Sequence, residues 1–106
     1  MSKARFSANE TVSVTCLTLK ISLPGIRSLK EKRSNILPIL TKVRKEFNCS
    51  IAEVGLQDIW QSGILGIVVI SNNADHNTRV MHQVLSFIES HFPSIQVEEF
   101  NIFSLW

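Results

Sequence analysis

Apolar and polar positions begin to alternate at Thr11, and the alternation predicts a first strand reaching Leu23. Val12, Val14 and Cys16 alternate with Thr11, Ser13 and Thr15, after which Leu17, Leu19, Ile21 and Leu23 continue in the opposite phase. That one-residue slip predicts a β-bulge near Cys16–Leu17. Pro24–Gly25 ends the strand. From Ser28 the period becomes helical, with Leu29, Ile36, Leu40, Val43 and Phe47 as the buried stripe. Ser28 and Glu31 have the Ser-x-x-Glu form of a capping box, the serine accepting a backbone N–H and the glutamate returning one. Pro38 lies deep in this helix. It removes one hydrogen bond and crowds the preceding turn, which predicts a kink or two helical pieces.

Asn48 closes the helix, and Ser50 to Gln57 reads as a second strand with Ala52, Val54 and Leu56 on one face. Asp58 to Ser62 leads to a third strand, Gly63 to Ser71, which is apolar on both faces and therefore central in its sheet. A second helix runs from about Ala74 to Phe92 on a stripe of Met81, Val84, Leu85, Ile88 and Phe92, and Pro93 stops it. A fourth strand starts at Ile95 and ends near Leu105. Two strand–helix–strand halves of this kind predict an α+β ferredoxin-like βαββαβ two-layer sandwich. Its four-stranded antiparallel sheet carries both helices on one face. Leu65, Ile67 and Val69 would face the helices, leaving Ile64, Val68 and Ile70 on the other face. An uncovered apolar sheet centre is usually an interface, so homo-oligomerisation through that face is expected.

The chain's 106 residues hold one domain, expected over residues 11–106 behind a flexible polar tail at 1–10. That tail has no apolar stretch of the signal-peptide kind, and no apolar run approaches the ~20 residues of a membrane helix. Cys16 and Cys49 fit neither a redox pair nor a zinc pattern, which points to a reducing, cytoplasmic setting.

The formal charge of +2 hides a strong division. Between Lys20 and Lys45 there are eight basic residues against one acid, a net of +7; from Glu46 to Trp106 there is one base against seven acids, a net of −6. The first helix holds six of the eleven basic residues, Lys30, Lys32, Arg33, Lys42, Arg44 and Lys45, and this concentration of charge favours an anionic partner. The loop Pro24–Arg27 leads into a helix N-terminus, whose free N–H groups and dipole attract anions. Arg27 and Lys30 lie nearest that point. Lys32 and Arg33 follow, and Lys42, Arg44 and Lys45 extend the charge along the helix; together they form the expected anion- or nucleic-acid-binding set.

Trp60, at the turn between the second and third strands, can stack on a base or anchor a partner, or cover the open end of the sheet or a dimer contact; packing or an interface is the preferred reading, because large aromatics mostly serve burial. His76, His82 and His91 are six and nine residues apart, so no two share the i, i+4 spacing of metal ligands, and neither metal nor cofactor is expected. Asp58, Glu98 and Glu99 have no nucleophile or base beside them in sequence.

Several blocks resemble the YlxP-like family (domain of unknown function 503) of small bacterial proteins. They are Leu23-Pro24-Gly25, Ser28-Leu29-Lys30-Glu31-Lys32-Arg33, Phe47-Asn48, Ala52-Glu53-Val54, Gln57-Asp58, Trp60-Gln61 and Val69-Ile70-Ser71-Asn72. The resemblance spans about residues 14–100 and implies a ferredoxin-like fold with no established activity. Members tend to be encoded beside translation-initiation and ribosome-maturation genes, which implies an RNA- or ribosome-related role by association. Pro38 and the longer N-terminal tail depart from the family pattern.

Three functions follow as expectations. The first is a non-catalytic binding module that contacts phosphates of structured RNA or a ribosomal particle. The third strand lacks the stacking aromatics of an RNA-recognition motif, so shape or backbone recognition is favoured. The second is a structural or regulatory homo-oligomer. The third is an acylphosphatase-like phosphohydrolase with Arg27 holding phosphate, for which the Gly-x-Val-Gln-Gly loop is missing from the sequence.

Overall fold

The computed structural model describes residues 11–106; the polar tail expected at 1–10 lies outside them. The element order is β1 (Ser13–Ser22), α1 (Leu29–Glu46), β2 (Ser50–Gly55), β3 (Ser62–Ser71), α2 (Ala74–His91) and β4 (Gln96–Ser104). The strands form one antiparallel sheet in the order β2-β3-β1-β4, so β3 and β1 are central and β2 and β4 are edges. This is the ferredoxin-like sandwich. Leu17, Leu19 and Ile21 of β1 and Leu65, Ile67 and Val69 of β3 are buried in one core with Ile36, Ile39 and Val43 of α1 and Met81, Val84 and Ile88 of α2. Alternation then turns Val14, Cys16, Thr18, Lys20 and Ser22 of β1 to the opposite, open face, where they are only half-buried.

Two expectations are corrected. β1 has no bulge at Cys16–Leu17: its register with β3 runs unbroken from Ser13↔Ser71 to Ser22↔Ser62. Ser13 and Thr15, rather than Val14 and Cys16, point to the core side and are buried. At this polar end of the strand Asn77 of α2, fully buried, donates its Nδ2 to the Ser13 carbonyl at 3.1 Å. The register of β4 shifts instead, since Lys20 pairs with Glu99 and Ile21 with Val97, leaving Glu98 as the extra residue.

The second concerns Pro38, where a kink or two helical pieces is expected: the division into two pieces does not occur. One 18-residue helix runs from Leu29 to Glu46 with Pro38 inside it. The proline is on the exposed side, so the missing N–H lies towards water, while Ile36, Ile39 and Val43 anchor the turns around it in the core. The buried stripe is Lys32, Ile36, Ile39 and Val43, with Leu40 and Phe47 only partly buried.

Candidate functional site

The loops before α1 and after β2 meet at one end of the sheet. Pro24–Gly25 makes the first turn: Ile26 N–H returns to the Leu23 carbonyl at 3.4 Å, and Gly25 adopts φ +82°, which only glycine takes without strain. Ser28 caps α1, its Oγ accepting the Glu31 N–H at 3.0 Å. The glutamate does not return its bond to the cap residue. Its Oε1 accepts the N–H of Arg27 at 2.8 Å, one residue earlier. A carboxylate of the chain itself is thus seated at the helix N-terminus, where the sequence reading places an external anion.

Lys32 differs most from expectation. It is 1% exposed, and its ammonium points into the protein rather than into the basic surface. Nζ donates to the carbonyls of Leu56 and Ile59, both at 2.7 Å, and lies 2.9 Å from Glu53 Oε2. The Gln57 carbonyl is farther, at 3.5 Å. The ammonium is thus held by loop carbonyls and paired in charge with Glu53, whose Oε2 makes no well-aligned hydrogen bond. Lys32 does not belong to the phosphate-contacting set; it clamps the β2–β3 loop to α1.

Two further bonds fasten the same loops. Gln61 Nε2 donates to the Ile26 carbonyl at 3.1 Å, and Leu23 N–H donates to the Gln61 carbonyl at 3.0 Å. Leu56 adopts φ +57°, an uncommon geometry for a leucine, and the lysine bond to its carbonyl helps hold it. The loop's apolar side chains stay outside: Trp60 is 49% exposed and Ile59 50%. Trp60 is therefore not core packing, and it shares this end of the molecule with Arg27 and Lys30, both exposed.

The remaining cations diverge. At 100° per residue, Arg33 and Arg44 lie close together on the flank of α1 that borders β2, Lys30 stands a little farther round, and Lys42 is on the other flank. Arg33, exposed, lines a shallow groove with Leu37, Leu40 and Glu53. Arg44 Nη2 donates to the Ile51 carbonyl of β2 at 2.9 Å, and Lys42 Nζ sits over the Phe92 ring, 5.6 Å from its centre. Lys45 points to solvent. The structure brings together Arg27 and Lys30, with Arg33 one turn beyond, and separates Lys42 and Lys45 from them.

On the open face, Ile64 and Val68 are half-buried and Ile70 is 65% exposed. Gly66 lets Val54 of β2 pack over it, since a Cβ there would meet Val54 Cγ1 at 3.3 Å. The apolar surface is interrupted on its β1–β4 side, where Thr18, Lys20, Glu99 and Asn101 follow the apolar pair Cys16 and Phe103.

Elsewhere, His91 stacks on Phe87 and His82 meets the edge of Phe100. Among the described residues no three His, Cys, Asp or Glu side chains gather as metal ligands, and no helix is long and apolar enough to cross a membrane. Burial raises the thiol pKa of Cys16 and also that of Cys49, where the Arg44 charge works in the opposite direction.

The profile of a family described as "Protein of unknown function (DUF503)" matches residues 14–102, which include both clamped loops. The uncharacterized protein YlxP of Bacillus subtilis (strain 168) is 45% identical over 69 residues, covering 65% of this chain and 74% of that protein.

Proposed function

The chain belongs to the DUF503 family, and we propose that it is a non-catalytic RNA-binding module working at its clamped-loop end. The observation that carries this reading is the buried Lys32 ammonium, which ties the β2–β3 loop bearing exposed Trp60 to the start of α1, where Arg27 and Lys30 are exposed, while Gln61 ties that loop to Ile26. Arg27, Lys30 and Arg33 supply phosphate contacts, and Trp60 offers a flat face to a base. The backbone N–H of Arg27 is already held by Glu31, so phosphates are met by side chains rather than by a backbone cradle. The same bond weighs against an acylphosphatase-like reading, which needs that loop to embrace a phosphate. A ribosomal particle is a natural source of such RNA, and a cytoplasmic setting belongs to this reading, supported by two free cysteines.

The test is binding of a structured RNA across a salt series. Wild-type affinity falls as salt rises, and Arg27→Glu with Lys30→Glu weakens binding and lowers the salt slope by about one per lost phosphate contact. Trp60→Ala weakens binding without changing that slope. Binding that survives the charge reversals in a folded protein would overturn the reading.

A further inference from the structure

The two edges of the sheet are built differently, and the difference points to a partner. Leu23 N–H bonds to the Gln61 carbonyl of the segment entering β3, while Val14 exchanges bonds with the C-terminal residues beside β4. In an antiparallel ladder such bonds alternate. Odd-numbered residues of β1 therefore bond to β3 and even-numbered ones to β4, and on the far strands Ile51 and Glu53 of β2 and Phe100, Ile102 and Ser104 of β4 turn their backbone groups outward. On β2 both outward carbonyls are occupied: Arg44 Nη2 donates to Ile51 O at 2.9 Å and Gln57 Nε2 to Glu53 O at 3.3 Å. Each edge also has a register shift, beside Val54 in β2 and at Glu98 in β4, the latter lying before the stretch Phe100–Ser104. On β4, among the described residues, no side chain takes the outward carbonyls of Phe100, Ile102 or Ser104.

We infer that β4 pairs with β4 of a second copy, antiparallel about a two-fold axis near Ile102, joining two sheets into one of eight strands. The pairing places Phe100, 51% exposed, opposite Ser104, and Phe103, 38% exposed, beside Asn101 of the other copy. Charge permits this arrangement. The acids of β4, Glu98 and Glu99, fall at opposite ends of the shared ladder, with the two Glu98 residues roughly 27 Å apart along the strand direction. That is well beyond the ~8 Å screening length at physiological salt. A second copy is favoured over a growing chain of copies, because a two-fold contact uses the β4 edge of both copies, and among the described residues the outward carbonyls of the β2 edge are taken by Arg44 and Gln57. Edge pairing also suits the surface better than stacking of open faces, whose apolar residues are broken up by Thr18, Lys20, Glu99 and Asn101.

The experiment is light scattering on the full chain at high micromolar concentration, with amide hydrogen exchange on the same sample. A dimer is expected, with the N–H groups of Phe100, Ile102 and Ser104 protected and losing protection on dilution. Ser104→Pro removes an outward donor without removing a bond to β1. It should keep the wild-type circular dichroism and raise the dimer dissociation constant about tenfold or more. A monomer at high concentration, a dimer whose three amides exchange freely, or a folded Ser104→Pro variant that dimerises as tightly as wild type would each overturn the inference.

Discussion

Lys32 in α1 and Asn77 in α2 each follow their helix N-cap by four residues, and each is buried at 1% exposure or less. Their surroundings correspond as well. Ile36, Ile39 and Val43 follow Lys32 at +4, +7 and +11, as Met81, Val84 and Ile88 follow Asn77. The two halves of the sandwich thus place a polar group at the same point of the same helical stripe. Asn77 is short and neutral: its amide donates to Ser13 O, and its Oδ1 accepts from Ser71 Oγ at 2.6 Å, fastening neighbouring strand ends of the sheet. Lys32 is long and charged, and reaches past the sheet to a loop. The second half closes its own structure with that position; the first uses it to hold out a surface.

The largest effect should come from Lys32→Met, which leaves the Glu53 carboxylate unpaired and the Leu56 and Ile59 carbonyls without their donor. Urea denaturation should show a loss of about 3–5 kcal/mol. The double variant Lys32→Met/Glu53→Gln should cost less than the sum of the single changes, since the unpaired charge is gone. Asn77→Leu should cost about 1–3 kcal/mol for the bonds it gives up, while hydrogen exchange in residues 56–61 stays as in wild type. Equal costs at the two positions, or equal loosening of the loop, would erase the distinction between the halves.

A smaller effect separates the helices themselves. α1 contains Pro38 and α2 has no counterpart. Pro38→Ala restores a donor on the exposed side and should raise stability by about 1–2 kcal/mol, the helix gain being partly offset by a more flexible unfolded chain. Smallest are the caps. Ser28→Ala and Asn73→Ala remove bonds to the N–H groups of Glu31 and His76, and thermal melts should show similar losses of about 1 kcal/mol each.

The element order and the sheet's two faces were legible because apolar spacing records burial directly. The departures have physical causes. Ser13 and Thr15 are buried polar residues, so alternation at the start of β1 shows the wrong phase. Pro38 argues locally against a helix that the buried Ile36, Ile39 and Val43 hold together. The site is less legible. Lys32 looked like one cation among eight, and charge counting cannot tell an inward ammonium from an outward one. A signal existed in its position on the apolar stripe, four residues before Ile36, where a solvated lysine does not belong. Arg44 carried no such mark; its bond to the β2 edge depends on a contact seven residues away in sequence.

The clamp also fixes a length. Lys32 grips two carbonyls three residues apart, Leu56 O and Ile59 O, while Gln61 is tied to Ile26. One residue inserted between 56 and 61 would carry a carbonyl off the ammonium, whereas an exchange of side chain at Asp58 or Trp60 touches none of these bonds. The cation therefore acts as a ruler that counts residues without reading their identity. A change in the number of loop residues should therefore loosen the clamp, whereas a change of side chain at Asp58 or Trp60 should leave it in place.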